Sequence, residues 1–236
     1  DVRAWIDDGI VDALVGQTFS GPELINSNAD YSELVELARG TECRVIGAIQ
    51  SHVDSDRLGD GPISMTRACA TNYWAQGVDG LYLAHWFNLW PYGPKFYEKL
   101  RELPHPDIMS PKDKFYYVPT CTGRFPNPDT EPGTTMELPA ELTVGEPTLV
   151  HLTISDDLPR WDAVGRVHDV ILRIRISLTT ELDRLSFRLN GVELPDSCRR
   201  LINEMYRMSR PRYRAGSAYW FVYHLPPEHW PVTGEN

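Results

Sequence analysis

The 236-residue chain has few cysteines, an excess of acid over base, and no long apolar run. Cys43, Cys69, Cys121 and Cys198 are scattered singly, which fits neither the paired ligands of a zinc site nor the density of a disulfide scaffold. Buried free thiols are expected, with no metal and no cofactor. Basic residues number 23 against 33 acidic ones, a formal charge of −10. That balance weighs against nucleic acid, whose binding relies on Lys and Arg to neutralise phosphates. The run Arg199, Arg200, Arg207, Arg210, Arg212 and Arg214 is the local exception, read as a solvated face. No stretch of about 18 apolar residues is present to span a membrane, and no charged start precedes an apolar segment as in a signal peptide. HExxH, P-loop, GxSxG and Asn-x-Ser/Thr patterns are all missing.

What is present divides into two halves with different periods. From 1 to about 103, short apolar runs alternate with helical spacing. DVRAWIDDG ends a helix, and VDALVGQ (11–17) follows as a strand of the buried, parallel type. Tyr31, Leu34, Val35 and Ala38 mark a helix capped by Asp30 and stopped by Gly40, and CRVIGAIQ (43–50) is the second strand. Pro62 and Ser64 open a helix with Met65, Ala68, Cys69 and Tyr73 on one face and Gly77 at its end. GVDGLYLAHW then gives a third strand, and Phe96, Leu100 and Leu103 a last helix. Strand and helix in alternation predict parallel α/β architecture. A full (β/α)8 barrel takes about 250 residues, so this stretch houses about three of its units.

Beyond the Pro- and Gly-rich loop TGRFPNPDTEPGT the rhythm becomes a period of two. VILRIRISL (170–178) alternates Val170, Leu172, Ile174, Ile176 and Leu178 with Arg173, Arg175 and Ser177. Leu185, Phe187 and Leu189 lead into Asn190-Gly191, a strong hairpin signal. Val150, Leu152 and Ile154 predict another strand, and Tyr219, Phe221, Tyr223 and Leu225 an aromatic one. An antiparallel β-sandwich satisfies these strands.

ISMTRACATNYWAQGVDGLYLAHW followed by KFYEKLREL resembles the last strand and helices of bacterial (β/α)8 glycoside hydrolase-like proteins. LPAELTVGEPTLVHLTISDDL, DRLSFRLNGVELP and PPEHWPVTGEN resemble the jelly-roll sandwich, akin to galactose-binding domains, that follows such barrels. The resemblance implies α/β plus all-β architecture. Residues 1–110 would be the last three βα units of a barrel, and 111–236 a β-sandwich lacking its last strand. It also implies a part in degrading poly- or oligosaccharides, the isolated segment being inactive because the first five strands and the acid/base carboxylate would lie elsewhere.

Barrel enzymes build their sites at the carboxyl ends of strands. Those positions are Gln17, Phe19 and Ser20, then Gln50, Ser51 and His52, then His85, Trp86, Asn88 and Trp90. A sugar needs flat apolar platforms beside hydrogen-bonding edges. Gln17, Gln50, His52, Trp86, Asn88 and Trp90 are therefore the expected carbohydrate-binding residues, with Trp86 and Trp90 as platforms and Asn88 and His52 as edge partners. The competing reading has the rings fill space between two domains.

Glycoside hydrolysis ordinarily uses two carboxylates. The retaining barrel clan that the resemblance evokes carries its nucleophilic Glu where this chain reads Gln50, Ser51, His52, so no catalytic residue is assigned. Asp54, Asp56 and Asp60 follow without the remaining signature of a calcium loop, and His224 and His229, either side of a Pro-Pro turn, are not expected to share a metal. Two rivals to the hydrolase fragment stand: a non-catalytic carbohydrate-binding or structural module, and a small complete α/β enzyme. A barrel fragment further predicts self-association through an exposed sheet edge.

Overall fold

Gly16 and Gly47 sit side by side in two neighbouring strands, and the notch they leave organises the first half of the molecule. The computed structural model describes residues 2–17, 24–53, 61–86, 90–120, 137–180, 182–203 and 218–236. Helix α1 (Val2–Asp7) precedes strand β1 (Ala13–Gly16), helix α2 (Ser32–Ala38), strand β2 (Arg44–Ile49), helix α3 (Ile63–Gln76), strand β3 (Gly80–Leu83), helix α4 (Pro94–Glu102) and the short helix α5 (Pro106–Met109). The strands pair in the order β1-β2-β3, all parallel, with Gly16 opposite Gly47 and Ile49 opposite Leu83. The fold is mixed α/β, and no sheet among the described residues closes into a barrel.

Local chemistry sets the helix limits. Asp30, foreseen as the cap of α2, lies one residue before the N-cap Tyr31; a bond from the Ser32 side chain, and the Ser32 backbone N–H at 2.8 Å, hold its carboxyl below the usual value. Pro94 stands in the first turn of α4, where its missing N–H costs nothing. Val45 and Ile49 point from one sheet face into a core shared with Tyr31, Ala38, Met65, Cys69, Tyr73 and Val78. Burial pushes the Cys69 thiol up to about 12, an inert packing group.

Only β2 fulfils the expectation of a buried strand. On the sheet face opposite the helices Val15 is 55% exposed and Tyr82 49%. These strands lie at the two edges of the sheet, whereas β2 is flanked on both sides.

Tyr31 fills the glycine notch. A Cβ on Gly16 would lie 2.5 Å from Tyr31 Cε1, and one on Gly47 2.9 Å from Tyr73 Cδ2. The two rings meet edge to face at 4.7 Å. Tyr31 donates its hydroxyl to the Gly16 carbonyl at 3.1 Å and accepts the Ala48 N–H at 3.1 Å, bridging β1 and β2. Burial raises its phenol to about 12, so the donor proton is retained.

Side chains of α3 hold the segment after β1. Tyr73 donates to the Asn26 carbonyl at 2.7 Å, and Gln76 receives the Tyr31 N–H at 2.6 Å while donating to the Ala29 carbonyl at 2.9 Å. Asn72 donates to the carbonyls of Ser27 (2.8 Å) and Thr153 (2.7 Å) and accepts the Ser155 N–H. Asn28 grips the same stretch through the His151 carbonyl and the Thr153 N–H. The strand foreseen around 150–154 is accordingly only β4 (Thr153–Ile154), because side-chain amides take up backbone groups that a longer ladder would use.

The chain divides into two compact units near Asp156. In the second, helix α6 (Leu158–Asp162) precedes strands β5 (Ile171–Ser177), β6 (Arg188–Leu189), β7 (Val192–Glu193), β8 (Arg199–Asn203) and β9 (Ala218–His224). Antiparallel β5 and β8 flank β9, and β6 and β7 form a hairpin whose Asn190 and Gly191 both have positive φ. Leu172, Ile174 and Ile176 pack with Tyr219, Phe221, Tyr223 and Phe187, as their alternation predicts. Leu178 departs from that pattern: it lies past the end of β5 with φ +59° and is exposed.

Replacing Gly16 with Ala forces its methyl against the Tyr31 ring and is expected to cost about 1–3 kcal/mol, read as a lower urea midpoint at unchanged slope. Tyr31→Phe, which removes both interstrand hydrogen bonds and keeps the ring, is expected to cost about 1–3 kcal/mol in the same measurement.

Candidate functional site at the carboxyl ends of the parallel strands

Parallel pairing brings Gln17, Gln50 and the segment Ala84–Trp86 to one end of the sheet, since each directly follows its strand. The register sets Gln17 level with Ala48, and Gln50 is two residues further along the same strand path. Gln17 and Gln50 therefore share a sheet face. Gln17 Nε2 is buried and has no acceptor among the described residues.

Gln50, 2% exposed, meets His85 across the sheet, its Oε1 lying 2.9 Å from Nδ1. An amide oxygen only accepts, so His85 donates from Nδ1, and in the neutral ring Nε2 is left as the acceptor. His85 has φ +59°, a conformation costly for a side-chain-bearing residue and frequent at functional positions. That turn ends β3 and redirects the chain into the aromatic segment.

His52 shares a 2.8 Å hydrogen bond between Nδ1 and the Ser51 hydroxyl, and its carbonyl accepts the Ile25 N–H. Both side chains are buried, so this neighbouring pair offers no open nucleophile to a substrate.

The two predicted platforms differ. Trp86 is 3% exposed, donates its indole N–H to the Ile49 carbonyl at 3.3 Å, and lies 4.8 Å from the Lys99 ammonium. It packs the strand end and presents no open face. Trp90 is 76% exposed. Between them runs a ladder that the sequence reading missed: Trp90 stands edge-on to Tyr92 at 5.5 Å, Tyr92 stacks on Phe96 at 4.0 Å, and Phe96 lies 6.3 Å from Trp86. Tyr92 and Phe96 are four residues apart across the start of α4, a spacing that was available as a signal. Asn88, Phe19, Ser20, Asp54, Asp56 and Asp60 lie outside the described residues.

Helix α4 carries that ladder with an inward face of Phe96, Lys99, Glu102 and Leu103; Leu100, expected inside, is exposed. Charged partners meet this face as well as apolar ones. Arg67 Nε on α3 meets Glu102 Oε2 at 2.7 Å, Arg67 also donates to the Asp113 carbonyl, and Lys112 pairs with the second Glu102 oxygen. Burial works against the Glu102 charge, but hydrogen bonds and attraction from Arg67 and Lys112 outweigh it and hold the carboxyl below its ordinary value.

The strand ends supply amide and imidazole hydrogen-bonding groups, and the aromatic ladder that starts at Trp86 ends in the exposed indole of Trp90. No carboxylate stands directly at the three strand ends, and the described residues hold no cluster of His, Cys, Asp and Glu suited to a metal. Comparison with known proteins finds neither a family model nor a curated sequence that matches the chain. No helix among the described residues is long and apolar enough to cross a membrane.

Glu102→Gln is expected to lower stability at neutral pH by about 1–3 kcal/mol, because Arg67 loses its nearest counter-ion and keeps only the Glu98 carboxylate at 4.0 Å. Glu102 titrates lower when folded than unfolded, so its contribution is complete above the ordinary carboxylate value near 4.5 and fades as pH falls through the lower folded one. Thermal melts of parent and variant should converge across that acid window.

Proposed function

We propose that the chain supplies part of the sugar-binding rim of a glycoside hydrolase-like protein acting on poly- or oligosaccharides. Residues 1–110 would correspond to three βα units of a (β/α)8 barrel and the later residues to its accessory β-sandwich. The observation that carries this reading is the single lip formed by Gln17, Gln50 and His85 at the carboxyl ends of sequential parallel strands. Helices α2 and α3 pack on one sheet face while Val15 and Tyr82 are exposed on the other, an asymmetry consistent with a barrel wall. In this reading Trp90 is the platform, backed by Tyr92 and Phe96. His85 binds sugar hydroxyls with Gln17 beside it, the buried Gln50 orients the imidazole, and Trp86 positions the lip from beneath.

The chain binds without cutting. Hydrolysis calls for paired carboxylates, and the three strand ends carry amide, hydroxyl and imidazole groups in their place. That absence equally favours a second reading, a non-catalytic carbohydrate-binding module.

A panel of neutral oligosaccharides titrated against the whole chain should yield at least one ligand with no release of reducing ends. Trp90→Ala is expected to weaken it about tenfold, the loss of one stacking platform. Equal binding by parent and Trp90→Ala, or silence across the panel, would overturn the rim assignment.

A further inference from the structure

In the turn between β6 and β7, sequence and geometry favour the same reaction. Asn190 is the one asparagine of the chain followed by glycine, and it stands exposed at the hairpin tip with φ +51°. Gly191 carries no side chain, and a Cβ placed there would meet no atom within 4 Å, so nothing walls off its backbone nitrogen. That N–H, between the paired Leu189 and Val192, makes no backbone hydrogen bond among the described residues.

The Asn190 amide is also half of a latch. Its Nδ2 donates to Asn236 Oδ1 at 3.0 Å, and the same oxygen accepts the Val232 N–H at 2.7 Å. Asn236 Nδ2 is committed to the carbonyls of Val232 and Gly234, each at 2.9 Å.

We infer that Asn190 is a site of spontaneous deamidation by water, and that its conversion to an acid releases the hairpin from the 232–236 turn. The inference stands apart from the carbohydrate reading. The Gly191 nitrogen gives its proton to hydroxide and bonds to Asn190 Cγ; the Cγ–Nδ2 bond breaks, and Nδ2 takes a proton from water and leaves as ammonia. Water then opens the cyclic imide. Cleavage at Cγ gives aspartate, and cleavage at the main-chain carbonyl gives isoaspartate, whose backbone runs through the former side chain. Nothing is oxidised or reduced: an amide and water become an acid and ammonia.

Either product carries an acceptor-only carboxylate in place of the donor to Asn236 Oδ1. Asn236 cannot turn its amide to answer without giving up the carbonyls of Val232 and Gly234. Isoaspartate also lengthens the backbone of a two-residue loop, which then no longer matches the register of Leu189 with Val192.

The whole chain incubated at mildly alkaline pH, folded and in parallel in urea, then mapped by peptide mass spectrometry, tests the site. In the folded chain Asn190 is expected to convert about tenfold or more faster than Asn28 or Asn72, with ammonia released in step. Gly191→Ala, whose methyl crowds the attacking nitrogen, should slow the conversion about tenfold, with its melting curve as the folding control. The comparison of folded with unfolded parent needs no variant. Asn190→Asp and the aged parent should both exchange the Val232 N–H about tenfold faster than fresh parent. Conversion of Asn190 only in urea, or no faster than Asn28 and Asn72 when folded, overturns the site. Unchanged Val232 exchange in both Asn190→Asp and the aged chain overturns the release.

Discussion

One phenol ring holds the strand ends together. Tyr31 occupies space that exists only because Gly16 and Gly47 are paired in register, and its hydroxyl joins β1 to β2 one residue before Gln17 and two before Gln50. The contact is steric and polar at once: any side chain at either glycine displaces an aromatic ring, and any slip of register separates the glycines. Tyr73 backs Tyr31 from α3 and binds the Asn26 carbonyl, so the same cluster that sets the strand register also fixes the path after β1.

The strand-helix order was legible because the signals were local. Apolar runs, Pro62 at a helix start and Gly77 at a helix end each act within a few residues, whereas Asp30, foreseen as a cap, binds the Ser32 N–H from one position before the N-cap Tyr31. The period of two in β5 was legible for the same reason, while its overextension to Leu178 came from counting a residue whose backbone has already turned away. What could not be read was partner choice. Leu100 looked like a core residue by spacing, but the inward face of α4 is set by Arg67 and Trp86, which lie on other elements. Nor does a sequence say that Asn28 and Asn72 take up the backbone groups of 151–155 and shorten the strand there.

The rim was legible as a place more than as a set of roles. Following the strand ends led to Gln17, Gln50, His52 and Trp86, yet hydrogen bonding divides them: Gln50 pairs with His85, His52 turns to Ser51, and Trp86 binds backbone beneath the lip. The exposed ring is Trp90, joined to the buried one by Tyr92 and Phe96. An aromatic-rich segment announces that rings will pack, and only the surrounding charges and turns decide which of them faces outward.

The amide of Asn72 uses both donors and its acceptor to hold two separate stretches of main chain, and it is fully buried. Hydrolysis of that amide to an acid would exchange one nitrogen for oxygen and set a carboxylate against the Ser27 and Thr153 carbonyls. One exchanged atom would thus release both stretches together, and the burial of Asn72 inside α3, away from water, is what preserves the amide.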